Sequence, residues 1–130
     1  MLYIDDTGIV KSNRIKVKIF SKIEYDRMDK VTGIVVHQTN TPSASHTFNS
    51  YTHPKSDGAH FLVNRDGTIC QTASLFKTTR HVGLMQSLCI VTKKWLISEL
   101  PDTPDISPSE IYRHPDIGRK NLTEASTASW

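Results

Sequence analysis

The sequence contains no apolar run near the roughly 18 residues of a membrane span, so no membrane insertion is expected. Its first residues, Met1-Leu2-Tyr3-Ile4-Asp5-Asp6, place acids where a signal peptide has bases. Synthesis in the cytoplasm without a signal peptide is the expectation. If the protein acts outside the cytoplasm, something else must export it. Blocks of like charge are also missing. The 16 Lys and Arg residues are scattered among 13 Asp and Glu, for a net charge of +3. Nucleic acid is therefore not expected as the partner, whereas a polyanionic bacterial cell wall suits the mild positive charge. Cysteine is scarce. Cys70 and Cys89 lack CxxC spacing and sit in apolar, strand-like contexts, so two buried free thiols are expected, with a single disulfide as the alternative. No His-Glu-x-x-His motif and no i,i+4 histidine pair occurs, which argues against a helix-based metalloprotease site. Internal repeats and low-complexity segments are missing as well.

What remains is an ordinary globular composition, 37% hydrophobic and 22% charged, over 130 residues. That length supports one domain with one core, expected as a single monomeric unit. Residues 1–30 read as an N-terminal edge segment and 31–130 as the core. Arg14-Ile15-Lys16-Val17-Lys18-Ile19-Phe20 alternates basic and apolar residues, the period of a half-exposed strand. Its lysines suit an edge strand; binding of an anionic ligand is the alternative. Thr32-Gly33-Ile34-Val35-Val36-His37 carries three successive β-branched apolar residues, a short buried strand. Pro42-Ser43-Ala44-Ser45 starts a helix with serine at its cap, Ala44, Phe48 and Tyr51 on one face, and an end near His53-Pro54. His46 and His53 flank it as surface residues.

Ala59–Val63 and Thr68–Gln71 form a hairpin, with Asp66-Gly67 at the tip of its turn. Thr78–Gly83 brings His81 to a strand end. Ser87–Val91 is another buried strand, and a helix over Lys93–Leu100 follows it. Ile111–His114 is a last short strand, again ending in histidine. Three strands thus end in His37, His81 and His114, and His60 begins a fourth. Histidines brought to one end of a sheet suit mononuclear zinc, which takes neutral imidazole and carboxylate ligands in a tetrahedron and keeps one position for water. Zinc lowers the pKa of that water to about 7 and polarises carbonyls, which suits amide hydrolysis. For a single histidine such as His37, the plain alternative is a strand cap with one backbone hydrogen bond.

Three blocks, Gly33–Thr39, Gly58–Ile69 and Arg80–Gly83, together resemble the zinc-dependent N-acetylmuramoyl-L-alanine amidases and the related peptidoglycan recognition proteins. Their order and gaps match, and Arg113–Lys120 is similar to the family's late histidine segment. The resemblance implies an α/β fold with a mixed central sheet of about five strands flanked by helices. It implies Zn2+ held by His37 and His114, with Lys120 stabilising the oxyanion. The family's third ligand lies shortly after that lysine. Leu122 stands at the usual offset and cannot bind metal, so Glu124, the nearest carboxylate, is assigned as the third ligand. His81 would contact substrate or orient the site. His60 has the same reading, with packing beside the metal as its alternative.

Two departures from the family pattern stand out. Ala59 occupies the position of a tyrosine common before the hairpin histidine. Val91 stands where recycling-type members have a glutamate general base. The implied function is hydrolysis of the bond between N-acetylmuramic acid and the first L-alanine of the peptidoglycan stem peptide. The alternative is an impaired or non-catalytic peptidoglycan-binding module, in which Asn49, Lys77 and Arg80 would contact the stem peptide. The tail from Asn121 to Trp130 is similar to that of secretion-delivered antibacterial amidases, bacteriolytic toxins that need an immunity protein in the producing cell. A phage lysin and a recycling enzyme are the other settings that fit.

Overall fold

A computed structural model of the chain describes residues 2–38, 41–80, 88–91, 107–113 and 116. The chain opens with a small antiparallel pair, β1 (Tyr3–Ile4) and β2 (Val10–Lys11). Asp5 builds the turn between them: its Oδ1 accepts from the backbone N–H groups of Thr7 and Ile9, each at 2.9 Å, and its Oδ2 lies 2.8 Å from Lys11 Nζ. The Lys11 ammonium and these donors hold the Asp5 carboxyl well below the usual carboxylate range. Gly8 closes the turn at φ +80, a conformation that side chains disfavour.

β3 (Ile15–Val17) is the edge strand expected from the lysine alternation. Only Ile15 is buried, however; Val17 is 51% exposed alongside its lysine neighbours. β4 (Gly33–Val36) is buried at all four positions, as its β-branched run requires. The helix α1 (Ala44–Ser50) starts after Ser43, as expected. The Ser43 hydroxyl caps no backbone N–H; it hydrogen-bonds Ser45 Oγ and His46 Nδ1, each at 2.8 Å. The helix ends at Ser50, with Tyr51 as its buried C-cap, and Thr52 and His53 wind on as turns ahead of Pro54. His46 and His53 are exposed, as read from the sequence.

The hairpin is β5 (Phe61–Val63) and β6 (Ile69–Gln71), with Gly67 at φ +85 in its turn and the Thr68 N–H donating to Asp66 Oδ1 at 2.8 Å. β7 (Leu88–Val91) and β8 (Ile111–Arg113) complete the strands. Residues 78–80 are not a strand: the Thr78 N–H bonds the Asp26 carbonyl at 2.8 Å, and its own carbonyl accepts from the Tyr25 N–H at 3.0 Å. The Lys93–Leu100 helix lies outside the described residues.

The single sheet of about five strands is replaced, among the described residues, by eight strands in three sheets with one α-helix. One sheet has the order β3-β6-β5, with β3 parallel and β5 antiparallel to β6. The other has the order β7-β4-β8 and is parallel throughout. β5 and β7 approach within 8 Å at Cα, so the two three-stranded sheets abut there. The architecture is mixed α/β.

The main core draws on both three-stranded sheets: Ile15, Phe61 and Ile69 from the first, Ile34, Val36 and Ile111 from the second, with Val10 from β2 and Met28, Val31 and Leu75 from the connections. The β-period then puts Lys16, Leu62 and Cys70, register partners on three strands, on the opposite face of the first sheet. A second cluster of Ile23, Tyr51 and Ala73 packs with Phe20 and Phe48, and Phe20 stacks on Phe48 at 5.5 Å between ring centroids. A buried glutamine secures the N-terminal pair to the hairpin. Gln71 Oε1 accepts from the Val10 N–H at 2.8 Å, and its Nε2 donates to the carbonyls of Gly8 (2.8 Å) and Ala73 (3.0 Å). Cys70 is a free, buried thiol.

Candidate functional site

The parallel sheet positions the residue around which a site can form. β4 is its central strand, and β7 and β8 flank it in register: Val36 is opposite Val91 on one side and Arg113 on the other. All three strands run the same way, so their carboxyl ends lie at one edge. In open α/β sheets such an edge, where neighbouring strands connect in opposite directions, is where ligands bind. The chain leaves β4 at His37, which is half-buried, and leaves β8 at His114. Two paired positions, Val36 and Arg113, are thus each followed in sequence by a histidine. His114 itself, together with His81, Lys120 and Glu124, lies outside the described residues. Among the described residues, no group of three His, Cys, Asp or Glu side chains converges on one point.

The other expected site residues are dispersed. Asn49 is exposed on α1, and its carbonyl accepts from the Thr52 N–H at 3.2 Å. Arg80 is exposed and sits 3.7 Å from Asp57 Oδ1, while its carbonyl accepts from the Gly58 N–H at 3.0 Å. Lys77, also exposed, is held by a bridge to Arg27.

His60, read from the sequence as contacting substrate or orienting the site, or else packing beside the metal, is an interior residue. It is 0% exposed, which leaves no surface for a ligand from solvent. It lies just ahead of β5, where its own carbonyl accepts from the Thr72 N–H at 2.8 Å. Its Nε2 is 2.8 Å from the Lys77 carbonyl. A carbonyl can only accept, so Nε2 carries the proton. Burial pushes the imidazole pKa down to about 4, partly offset by that bond. His60 is therefore a neutral interior group that ties the hairpin to the segment leading to Arg80.

Residues 27–96 match the family model for N-acetylmuramoyl-L-alanine amidase, more than half of the chain. The chain belongs to this family. No curated protein and no solved structure matches it. The matched stretch of the amidase family takes in β4, His37, α1, the hairpin and β7. It ends before β8, His114, Lys120 and Glu124, and it begins after β3.

A groove of about 400 Å³ lies between α1, β3 and the hairpin, at the basic strand for which anion binding was the alternative to an edge role. It lies on the sheet face opposite the core. Its lining includes Lys16, Lys18, Phe48, Asn64, Asp66 and Cys70. The Lys18 ammonium stands 4.3 Å from the Phe48 ring centroid and 5.6 Å from that of Phe20. The signal in the sequence was the basic alternation of β3. What it lacked was the knowledge that α1 folds over that face.

Proposed function

We propose that the protein is a zinc-dependent peptidoglycan amidase that hydrolyses the bond between N-acetylmuramic acid and the first L-alanine of the stem peptide. Family membership supports the reaction class. The observation that carries the site is the parallel register of β4 and β8, from whose paired ends the chain runs on into His37 and His114. A half-buried histidine at one sheet edge, with a second following the paired strand in sequence, fits zinc, whose usual ligands are neutral histidines with a carboxylate or thiolate. When bound, the metal supplies Lewis acidity at the amide carbonyl and a water acidic enough to attack near neutral pH.

The chain's own residues supply the rest. His37 and His114 would hold the metal, with Glu124 as the carboxylate candidate. Lys120 brings positive charge to the carbonyl oxygen as it becomes negative. The water oxygen bonds the carbonyl carbon, the carbon–nitrogen bond breaks, and the L-alanine amine leaves with a proton. His81 and Arg80 stand together in sequence within the matched stretch and are proposed to orient the substrate. The product acts in the periplasm or cell wall after release or injection, as a monomer, and in the injected case with an immunity partner in the producing cell.

A second reading, a peptidoglycan-binding module without catalysis, is favoured by Val91. It ends β7 opposite Val36 and provides no base where recycling-type relatives resemble this strand but carry glutamate. Metal analysis by mass spectrometry, combined with stem-peptide release from purified sacculi with and without chelator, separates the two. One zinc per chain and chelator-sensitive release are expected. His37→Ala and His114→Ala should lose both zinc and release, whereas Lys120→Ala should keep zinc and lose about 10²–10³-fold in rate. Undiminished release by a metal-free His37→Ala protein would overturn the amidase reading; sacculus binding without zinc or release would establish the module.

A further inference from the structure

The groove between α1 and the first sheet holds two cations, Lys16 and Lys18, against one acid, Asp66. Lys16, in β3, and Lys18, just past its end, both line the groove, roughly 6–7 Å apart along the extended chain. Neither forms an ion pair among the described residues; the ion pairs there join Lys11 to Asp5, Arg27 to Asp29 and Arg80 to Asp57. The one acid in the groove, Asp66, accepts from the Thr68 N–H and keeps its charge; that hydrogen bond and, more weakly, the field of Lys16 hold its carboxyl below the usual range, so the groove lining carries one net positive charge. The Phe48 ring lies under the Lys18 ammonium and holds it at the groove rather than free in solvent. Asn64 and Thr68 add polar groups at the hairpin end, and Cys70 and Phe48 form an apolar floor. An apolar floor, a few polar groups and two close positive charges suit a short extended peptide bearing carboxylates.

β3 precedes the stretch that matches the amidase family, so these lysines lie outside that match. We infer that Lys16 and Lys18 form an anion-binding rail that seats the carboxylates of the stem peptide in this groove, extending substrate recognition beyond the metal edge. The identity of the ligand rests on the amidase reading proposed above. The groove's chemistry does not require the metal.

The test uses the full chain in chelator, so that binding is read apart from hydrolysis. The probe is the synthetic tripeptide L-alanyl-γ-D-glutamyl-L-lysine with its carboxylates free, titrated calorimetrically at low salt, where charge contacts are least screened. Lys16→Gln/Lys18→Gln should weaken binding by about tenfold or more. Lys16→Arg/Lys18→Arg should retain it, and the carboxamide form of the peptide should bind wild type as weakly as the free peptide binds the glutamine variant. Both lysines are exposed, so the variants should melt as wild type does. No binding by wild type overturns the inference, as does equal binding by wild type and the glutamine variant, or tight binding of the carboxamide. If lysine-dependent binding is found in a protein that releases nothing from sacculi, the rail stands and the amidase reading falls. If release is zinc-dependent but neither peptide binding nor release responds to the lysine changes, the amidase reading stands and the rail falls.

Discussion

His60 is a titratable side chain held wholly inside the fold. It is buried and neutral, with its proton given to the Lys77 carbonyl. Unfolded, an imidazole takes up a proton near pH 6.5; here the folded state takes it up only near pH 4. Between those values the unfolded chain binds more protons, so stability falls as pH drops through that window and is fully present above it. The loss should reach about 3 kcal/mol by pH 4. Urea unfolding at a series of pH values should show this slope in wild type and not in His60→Gln; parallel profiles would remove His60 as its source. The signal was there in the sequence. Ala59-His60-Phe61-Leu62-Val63 is apolar on both faces, and a histidine inside such a run is more readily interior than exposed. The amide network of Gln71 had no such signal, because its three backbone partners come from the N-terminal pair and from Ala73.

Elements in this protein are short and lean on one another. The seven-residue α1 is too short to persist alone and lacks a side-chain cap. Phe48 and Tyr51 hold it against Phe20, through ring contacts at 5.5 and 5.6 Å. The β1–β2 turn depends on Gly8 in two ways. Its positive φ disfavours any side chain, and a Cβ there would press on Ser74 Oγ and come 2.9 Å from the Phe76 nitrogen. The Gly8 carbonyl also accepts from the Leu75 N–H at 3.0 Å, which docks the turn on that segment. Gly8→Ala should therefore destabilise the protein by about 2 kcal/mol or more, seen as a lower thermal midpoint. An unchanged midpoint would mean that the turn is not coupled to the rest of the fold. β4 is the opposite case, an element whose own residues dictate its burial.

At the scale of the molecule, two three-stranded sheets share one core and divide the work. The parallel sheet offers the strand ends at which His37 stands; the mixed sheet, with α1, offers the basic groove. On the amidase reading, zinc binds the folded chain and not the unfolded one, so it should stabilise by mass action. At about a hundredfold excess over its dissociation constant the gain is about 2.7 kcal/mol. Scanning calorimetry should show a melting point several degrees higher with zinc than with chelator, and His37→Ala should lose that difference. Equal melting points for wild type with zinc and with chelator would speak against a zinc site in the fold.

By itself the sequence determined the buried β4 strand, the Asp66-Gly67 hairpin, the start of α1 and the amidase family. Each is written in adjacent residues: β-branched runs, turn-forming pairs and ordered motifs act through local sterics and need no distant partner. The tertiary structure alone decided that the strands divide into three sheets, that Gln71 ties the N-terminal pair to the hairpin, that Val36 and Arg113 are paired at one edge, and that Lys16 and Lys18 face a groove under α1. Those outcomes depend on which distant segments bury one another's apolar faces, and a run of residues does not carry that information.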